Sequence, residues 1–270
     1  MPKGKSQKSP DLATWIDSRQ SQGLYFFHRQ EALKTLNVSE LAFKKAAARL
    51  SKKKRIARIH GGFFIIIPLE YAATGILPAE WFIDDLMDYI GQPFYVGLLS
   101  AAALHGAGHQ QLQQFHVVTT GPLRDMKMNG LAIRFFSKSK FANVPQIRMK
   151  VQTGYIPVST PEATAFDLIR YSRRVGGLGR VLTVLQELGE VMDPGNLEKA
   201  AKADEKVTYA QRLGFLLEKA GFPNLTGALF QWVDVKYPLP VKLEPSMPTR
   251  GSKKDERWRI LVNIDVEGDL

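Results

Sequence analysis

The order of helical and extended patterns in the first seventy residues sharply limits what this chain can fold into. Apolar residues recur at i, i+3 and i+4 after Asp11, which predicts a first helix capped by that residue. A second helix is predicted over residues 29–36 and a third over residues 40–52, with Ser39 as its N-cap. Residues 37–39 form the short turn between them. Two helices joined in this way are typical of a helix-turn-helix.

Two strand patterns follow the third helix. Residues 55–59 alternate polar and apolar, as a half-buried strand does, and residues 60–62 form a glycine-rich turn. Residues 63–67 are β-branched and aromatic, and Pro68 ends this second strand. Helix, helix, turn, helix and hairpin is the order of a winged helix. In such a fold the third helix enters the major groove of DNA, and the wing contacts the backbone or the minor groove.

The positive charge of the chain is concentrated in the same segment. The net charge of the 270 residues is +11, and residues 1–60 alone hold 14 Lys or Arg against 4 Asp or Glu. Residues 61–110 contain no Lys or Arg, and residues 151–270 are neutral overall. A basic module joined to a neutral body predicts a polyanionic partner, bound in a salt-sensitive way. The alternative is a solvated, lysine-rich surface that keeps the protein soluble.

The candidate DNA-binding residues lie on the third helix, on the segment after it and on the first wing strand. Those expected to face the major groove are Ser39, Lys44, Lys45 and Arg49. Those expected to meet phosphate or the groove beneath the wing are Lys52, Lys53, Lys54, Arg55, Arg58 and His60. Two alternatives stay open at this point, a helical domain whose basic helix only faces water and a module that docks onto another protein.

The rest of the chain predicts a larger domain of mixed α+β structure. We expect a flexible arm over residues 1–10, a winged-helix domain over 11–75, an acidic linker helix within 76–93 and the larger domain over 94–270. Strands are predicted at residues 115–120, 131–136, 147–152, 155–158, 241–243 and 258–266. Helices are predicted at residues 161–171, 178–188, 195–203, 209–220 and 225–233, and a surface loop at 245–256.

A second basic cluster lies around the predicted strands of the larger domain. It consists of Arg124, Lys127, Arg134, Lys138, Lys140, Arg148 and Lys150, and we call it the middle patch. Phe135, Phe136 and Phe141 are interleaved with it. Basic strands with aromatic residues can hold single-stranded nucleic acid. The middle patch could equally extend a duplex footprint along phosphates, or be a solvated edge with its phenylalanines in the core.

Catalytic and metal chemistry find little support in the sequence. The chain has no cysteine, which excludes disulfides, cysteine zinc sites, iron–sulfur clusters and cysteine nucleophiles. His105 and His109 have a spacing suited to a metal on a helix, but the glycines between them argue against a continuous helix. The triplet at residues 234–236 has the acid–x–lysine form found in nucleases, yet no second acid accompanies it. We therefore expect no enzymatic activity, no metal and no cofactor.

Targeting signals are not apparent. The first twelve residues lack the apolar core of a signal peptide, and the longest apolar stretch, residues 94–104, is shorter than the roughly 20 residues of a membrane helix. The sequence thus predicts a cytoplasmic protein with no membrane partner.

Five stretches resemble the AbiEi family, the antitoxins of type IV toxin–antitoxin systems first known from phage abortive infection. Within the winged-helix pattern this is RLSKKKRI at residues 49–56. In the larger domain they are YVGLLSAAALHG at 95–106, VSTPEATAFDL at 158–168, RLGFLLE at 212–218 and WRILVN at 258–263. The resemblance spans roughly residues 12–268, and the order of the stretches is its specific part.

The resemblance implies a winged-helix repressor joined to an antitoxin domain. Members of the family bind inverted repeats in double-stranded DNA of their own promoter and repress an operon that includes a nucleotidyltransferase-like toxin. Their C-terminal domain is needed to neutralise that toxin, and the two proteins need not form a stable complex. The alternatives are a winged-helix regulator whose second domain senses a ligand or a protein partner, and a DNA-processing nuclease.

Overall fold

The computed structural model describes residues 11–108 and 114–268 and divides into two compact units. The N-terminal unit comprises the described residues through Pro93 together with Asp125–Ile133 and Lys150–Ile156. The C-terminal unit comprises the remaining described residues, from Phe94 onward. The flexible arm predicted at residues 1–10 lies outside the described residues. The mixed α+β fold class is confirmed.

The N-terminal unit begins with the three predicted helices and the two predicted wing strands in the predicted order, together with a further short strand between the first two helices. They are α1 (Leu12–Ser21), β1 (Phe26–His28), α2 (Arg29–Leu36), α3 (Glu40–Lys52), β2 (Ile56–His60) and β3 (Phe63–Ile66), followed by α4 (Ile83–Ile90). The second and third helices have the bounds that the sequence predicts. The strands form an antiparallel sheet in the order β1-β3-β2. This order of elements and of strands is typical of a winged helix-turn-helix.

Aromatic packing holds the N-terminal unit together. Trp15 of α1 meets Phe27 of β1 edge to face, with 5.4 Å between ring centroids, and Phe43 of α3 meets Phe64 of β3 in the same way at 5.7 Å. Burying each such side chain contributes about 1.5–3 kcal/mol. The predicted cap is also present, because the side chain of Asp11 accepts a hydrogen bond of 2.8 Å from the backbone N–H of Thr14. The helices are thereby fixed on one face of the sheet.

A six-stranded sheet and a block of helices follow. The strand order of the sheet is β6-β7-β5-β4-β9-β8. One helix, α5, lies between the strands β4 and β5 along the chain. These elements are β4 (Phe94–Val96), α5 (Leu98–Leu104), β5 (Gln114–Thr119), β6 (Met126–Met128), β7 (Leu131–Ser137), β8 (Gln146–Val151) and β9 (Gly154–Ser159). The helical block contains α6 (Pro161–Arg170), α7 (Gly177–Leu188), α8 (Pro194–Asp204), α9 (Val207–Lys219) and α10 (Gly227–Asp234).

A small sheet in the order β10-β12-β11 ends the described chain. Its strands are β10 (Val241–Lys242), β11 (Lys253–Asp255) and β12 (Ile260–Val262). The prediction of a surface loop over residues 245–256 is wrong for Lys253–Asp255, which form the strand β11. There β11 pairs antiparallel with β12, and Lys254 lies opposite Leu261. Pairing of this kind depends on the partner strand, which a polar, proline-bearing stretch does not reveal by itself.

Two helical glycines in the C-terminal unit lie too close to aromatic rings for any other residue, namely Gly189 beside Phe222 and Gly214 beside Trp258. Trp258 is fully buried, and a Cβ atom on Gly214 of α9 would lie 2.2 Å from its ring.

The helix α6 is buried along nearly its whole length, and it begins as predicted, with Thr160 as the cap and Pro161 in the first turn. None of the helices in the described ranges is long and apolar enough to cross a membrane.

Candidate nucleic-acid interface

The two sides of α3 differ in character. Phe43, Ala47 and Leu50 are buried against the core of the N-terminal unit. Four cations of the predicted set are exposed on the remainder of the helix, namely Lys44, Lys45, Arg49 and Lys52. The Oγ atom of Ser39 accepts a hydrogen bond of 3.2 Å from the backbone N–H of Ala42, so it serves as the N-cap as predicted.

Most of the positive charge on α3 is not neutralised locally. Lys44 Nζ lies 3.4 Å from Glu40 Oε2, and the other carboxylate oxygen of Glu40 lies 4.0 Å from Arg29. Exposed pairs of this kind are worth less than about 1 kcal/mol and are easily exchanged for other partners. Within the part of the chain that the structure describes, no ion pair involves Lys45 or Lys52. The helix therefore presents a cationic face to solvent.

The wing is fixed by contacts at its turn. Gly61 has a φ of +51°, which glycine adopts without strain. The carbonyl oxygen of Gly61 accepts from Arg58 Nε at 2.7 Å, and the N–H of Gly62 donates to the hydroxyl of Tyr89 at 2.9 Å. The carbonyl of Gly62 accepts from the backbone N–H of Arg29 at 2.8 Å. The tip of the β2–β3 hairpin is thus tied to α2 and to α4.

An open groove of about 210 Å³ runs between α3 and the wing. Cations from three elements border it, Arg29 from α2, Lys44 from α3 and Arg58 from the wing. The rest of its lining is small or apolar, with Phe43, Ala47, Ala48, Ser51, Gly61 and Phe64. Sequence reasoning missed Arg29. No local pattern indicates this role, because Arg29 borders the groove only through the folding of the wing onto the start of α2.

Besides Ser39, Lys44 and Arg58, two further predicted DNA contacts have partners within the N-terminal unit. Lys54 donates to the carbonyl oxygen of Ala73 at 2.8 Å, and Arg55 forms an ion pair with Asp17. Their roles toward DNA stay predictions, but their side chains already contribute to packing. The remaining predicted contacts after the helix, Lys53 and His60, are exposed.

The middle patch is not a single surface of one unit. Lys127 and Lys150 belong to the N-terminal unit and the other five members to the C-terminal unit. Arg124, Lys127, Arg148 and Lys150 are exposed. Arg134 donates to Gln114 Oε1 at 3.1 Å, and Lys140 forms an ion pair with Glu205. Whether the exposed members meet nucleic acid stays a prediction.

The assignment of Lys138 to an exposed patch is wrong. Its side chain is only 3% exposed, because Nζ lies 2.7 Å from Asp167 Oδ1 and 3.2 Å from Asp204 Oδ2. The alternative in which aromatic residues of the middle patch stack on single-stranded nucleic acid is wrong for two residues. Phe135 and Phe136 are buried and therefore cannot offer their ring faces to bases.

The carboxylates around Lys138 form a buried polar cluster with further partners. Asp167 Oδ2 accepts from the hydroxyl of Tyr95 at 2.8 Å, and Asp204 pairs with Arg170 at 2.8 Å. Burial, with a further contribution from Asp167, raises the pKa of Tyr95 well above its ordinary value. Two cations and two carboxylates thus balance one another in the interior. The sequence gives no sign of this cluster, because its members are far apart along the chain.

Of the two histidines considered as metal ligands, only His105 lies in the described residues. His105 Nε2 lies 2.7 Å from the carbonyl oxygen of Ser159, and His109 lies outside the described residues. Over residues 11–108 and 114–268, no three His, Cys, Asp or Glu side chains are grouped as metal ligands would be.

These features define a two-unit α+β protein whose first unit has the element order of a winged helix-turn-helix. Residues 95–219 match the family model of the AbiEi antitoxin C-terminal domain, and this match supports an antitoxin of the AbiEi type. The predicted resemblance is confirmed, and it gives the chain an antitoxin role in a toxin–antitoxin system.

Among solved structures, the chain is similar to the crystal structure of the RV2827C protein from Mycobacterium tuberculosis. The TM-score is 0.65 at 14% sequence identity, over 96% of this chain and 94% of that one. At this identity the similarity establishes the fold of the chain. No curated protein matches the sequence.

Proposed function

We propose that this protein is a DNA-binding transcriptional autorepressor and antitoxin of a type IV toxin–antitoxin system. The proposal rests on one observation, the exposed cationic face of α3 beside a fixed wing, in a chain that otherwise carries an AbiEi antitoxin domain. The toxin would be nucleotidyltransferase-like and would be counteracted without enzymatic activity of the antitoxin and without a necessary stable complex.

The DNA-binding step follows from the arrangement of the cations. With α3 in the major groove, Lys44, Lys45 and Arg49 would meet base edges and neighbouring phosphates. The groove between α3 and the wing, bordered by Arg29 and Arg58, would accept a phosphate of the backbone. An inverted repeat offers two equivalent half-sites, which two copies related by a two-fold axis would occupy.

The proposed experiment measures DNA binding and toxin neutralisation separately. Full-length protein is titrated by fluorescence anisotropy against the promoter fragment of its own operon and against a shuffled fragment of equal length. We expect tighter binding to the promoter fragment and a linear fall of log K with log salt. Equal affinity for both fragments would contradict autorepression.

Co-expression with the product of a neighbouring nucleotidyltransferase-like gene tests the antitoxin half. We expect the full chain to restore growth, and a chain bearing substitutions only on α3 to restore it as well when expressed from a foreign promoter. Loss of rescue with those substitutions would show that the two roles are not separate. A regulator that only senses a ligand or a partner would repress its operon but give no rescue.

A further inference from the structure

One stripe along α3 points directly away from the core of the N-terminal unit. With about 100° of rotation per residue, the positions opposite the buried Phe43, Ala47 and Leu50 are spaced by four, three and four residues. They are Leu41, Lys45, Ala48 and Lys52, and all four are exposed. The stripe therefore alternates apolar and cationic side chains on the part of the helix that would reach deepest into a groove.

Leu41 is the unexpected member of this stripe. Its side chain is 64% exposed, although it occupies the second position of α3, directly after the Ser39 cap and Glu40. A single exposed leucine on a protein surface is ordinary. The position is what distinguishes Leu41, because the N-terminal residues of a recognition helix are those that contact base edges.

The chemistry of the major groove offers one apolar group to such a side chain. Among the four bases only thymine presents a methyl group there, and apolar side chains discriminate it by contact. A leucine cannot form the hydrogen bonds that identify guanine, adenine or cytosine. The flanking cations fit the phosphates on either side. The small Ala48, about two turns after Leu41, allows close approach of the helix to the DNA.

We infer that Leu41 reads a thymine methyl group in the operator and is a specificity-determining residue. This inference rests on the proposed function, because it requires α3 to lie in the major groove. Leu41 would contribute through apolar contact, whereas Lys45 and Lys52 on the same stripe would contribute mainly through charge. Changes at Leu41 should consequently alter sequence preference while leaving the salt dependence of binding as it is.

The experiment begins with duplexes selected from a random library by the full-length protein and by its Leu41→Ala variant. In the best duplex for the unsubstituted protein, each thymine is then replaced singly by deoxyuridine, which removes only the methyl group. We expect one position per half-site at which this replacement weakens binding about fourfold, the equivalent of about 0.8 kcal/mol for one buried carbon. At that position Leu41→Ala should bind both duplexes equally.

Leu69→Ala is the matched control, because Leu69 is 79% exposed in the same unit but lies outside α3. It should retain the methyl sensitivity of the unsubstituted protein, and thermal unfolding should be unchanged in both variants. Binding to the selected duplex with the same methyl sensitivity in Leu41→Ala would overturn the inference and leave the proposed function intact. Failure of the unsubstituted protein to enrich any duplex would overturn both.

Discussion

Lys138 Nζ lies within hydrogen-bonding distance of Asp167 Oδ1, at 2.7 Å, with both side chains buried in the C-terminal unit. The same ammonium lies 3.2 Å from Asp204 Oδ2, and the carboxylate of Asp204 also forms an ion pair with Arg170. A cation placed between two carboxylates in a low-dielectric interior is a structural element. Lys138 is buried with its ammonium directed at these two carboxylates, so it is unavailable to a phosphate.

We expect Lys138→Met to lower the free energy of unfolding by about 3–5 kcal/mol, because it leaves Asp167 buried without its cation, while Asp204 keeps only Arg170. Urea denaturation monitored by circular dichroism measures this loss. Lys140→Met is the matched control. Lys140 pairs with Glu205 at the surface, and its removal should cost less than about 1 kcal/mol. Equal stability of the two variants would contradict the structural role of Lys138.

The double substitution Lys44→Ala with Arg49→Ala tests the recognition helix. Both side chains are exposed, so the stability of the fold should change little. Direct base contacts are worth about 1–3 kcal/mol each, and the loss of two should therefore weaken operator binding about a hundredfold or more. Anisotropy titration against the promoter fragment measures the change.

A control with the same change in net charge separates contact from general electrostatics. Lys199 and Lys206 are exposed in the C-terminal unit, and their replacement by alanine removes two positive charges from residues that do not belong to α3. We expect operator affinity to fall far less in this variant. An unchanged affinity in Lys44→Ala with Arg49→Ala would refute the assignment of α3 as the recognition helix.

Local patterns predicted the winged-helix elements well, because each is specified by residues close in sequence. The bounds of α2 and α3 follow from the apolar spacing together with Ser39 as a cap, and the hairpin from its glycines. Both wing strands differ from the prediction by one residue, because the first begins at Ile56 and includes His60 and the second ends at Ile66. The short strand β1 before α2 was not among the predicted strands. The helices α6 to α10 of the C-terminal unit were likewise located to within a few residues by their apolar stripes, whereas α5 was not among the predicted helices.

Properties that depend on distant residues could not be predicted in this way. The burial of Lys138 requires Asp167 and Asp204, which belong to later helices, and a lysine just after a strand has the pattern of a surface residue. Arg29 borders the groove only because the wing folds back onto the start of α2. Leu41 carries no local signal other than its place opposite the core-facing side of α3.

Asp85 provides a pH-dependent test in the N-terminal unit. Burial, and then the neighbouring carboxylates of Asp84 and Asp88, raise the pKa of Asp85 to about 6. Its unfolded value is near 3.9, so between these two values the folded state binds a proton that the unfolded chain does not. The free energy of unfolding therefore falls as pH rises from about 4 to about 6.

We expect Asp85→Asn to stabilise the protein at pH 7.5 by about 1 kcal/mol and to have no effect at pH 4. The full pKa shift would correspond to a gain of about 3 kcal/mol in the free energy of unfolding. The expected gain is smaller because solvent screens a half-exposed carboxylate, and because a negative charge is favourable in the first turn of α4. Urea midpoints at the two pH values measure the difference. Asp88→Asn is the control, and we expect it to stabilise the protein less because Asp88 is exposed. Destabilisation by Asp85→Asn at pH 7.5 would contradict a raised pKa of Asp85.

The groove between α3 and the wing predicts a salt-dependent effect without a change of specificity. Each phosphate contact adds about 0.9 to the slope of log K against log salt on duplex DNA. Replacing Arg29 and Arg58 by alanine should make that slope shallower by about two, while the preference for promoter over shuffled DNA is retained. Because Arg58 also donates to Gly61, thermal unfolding is measured in parallel.

Lys127→Ala with Lys150→Ala is the comparison variant, since it removes two exposed cations of the same unit that do not border the groove. If these two residues of the middle patch extend the footprint, the slope in this variant also becomes shallower by about two. If they are a solvated face, the slope matches that of the unsubstituted protein. An unchanged slope in the Arg29 and Arg58 variant, with an intact fold, would show that the groove does not hold a phosphate.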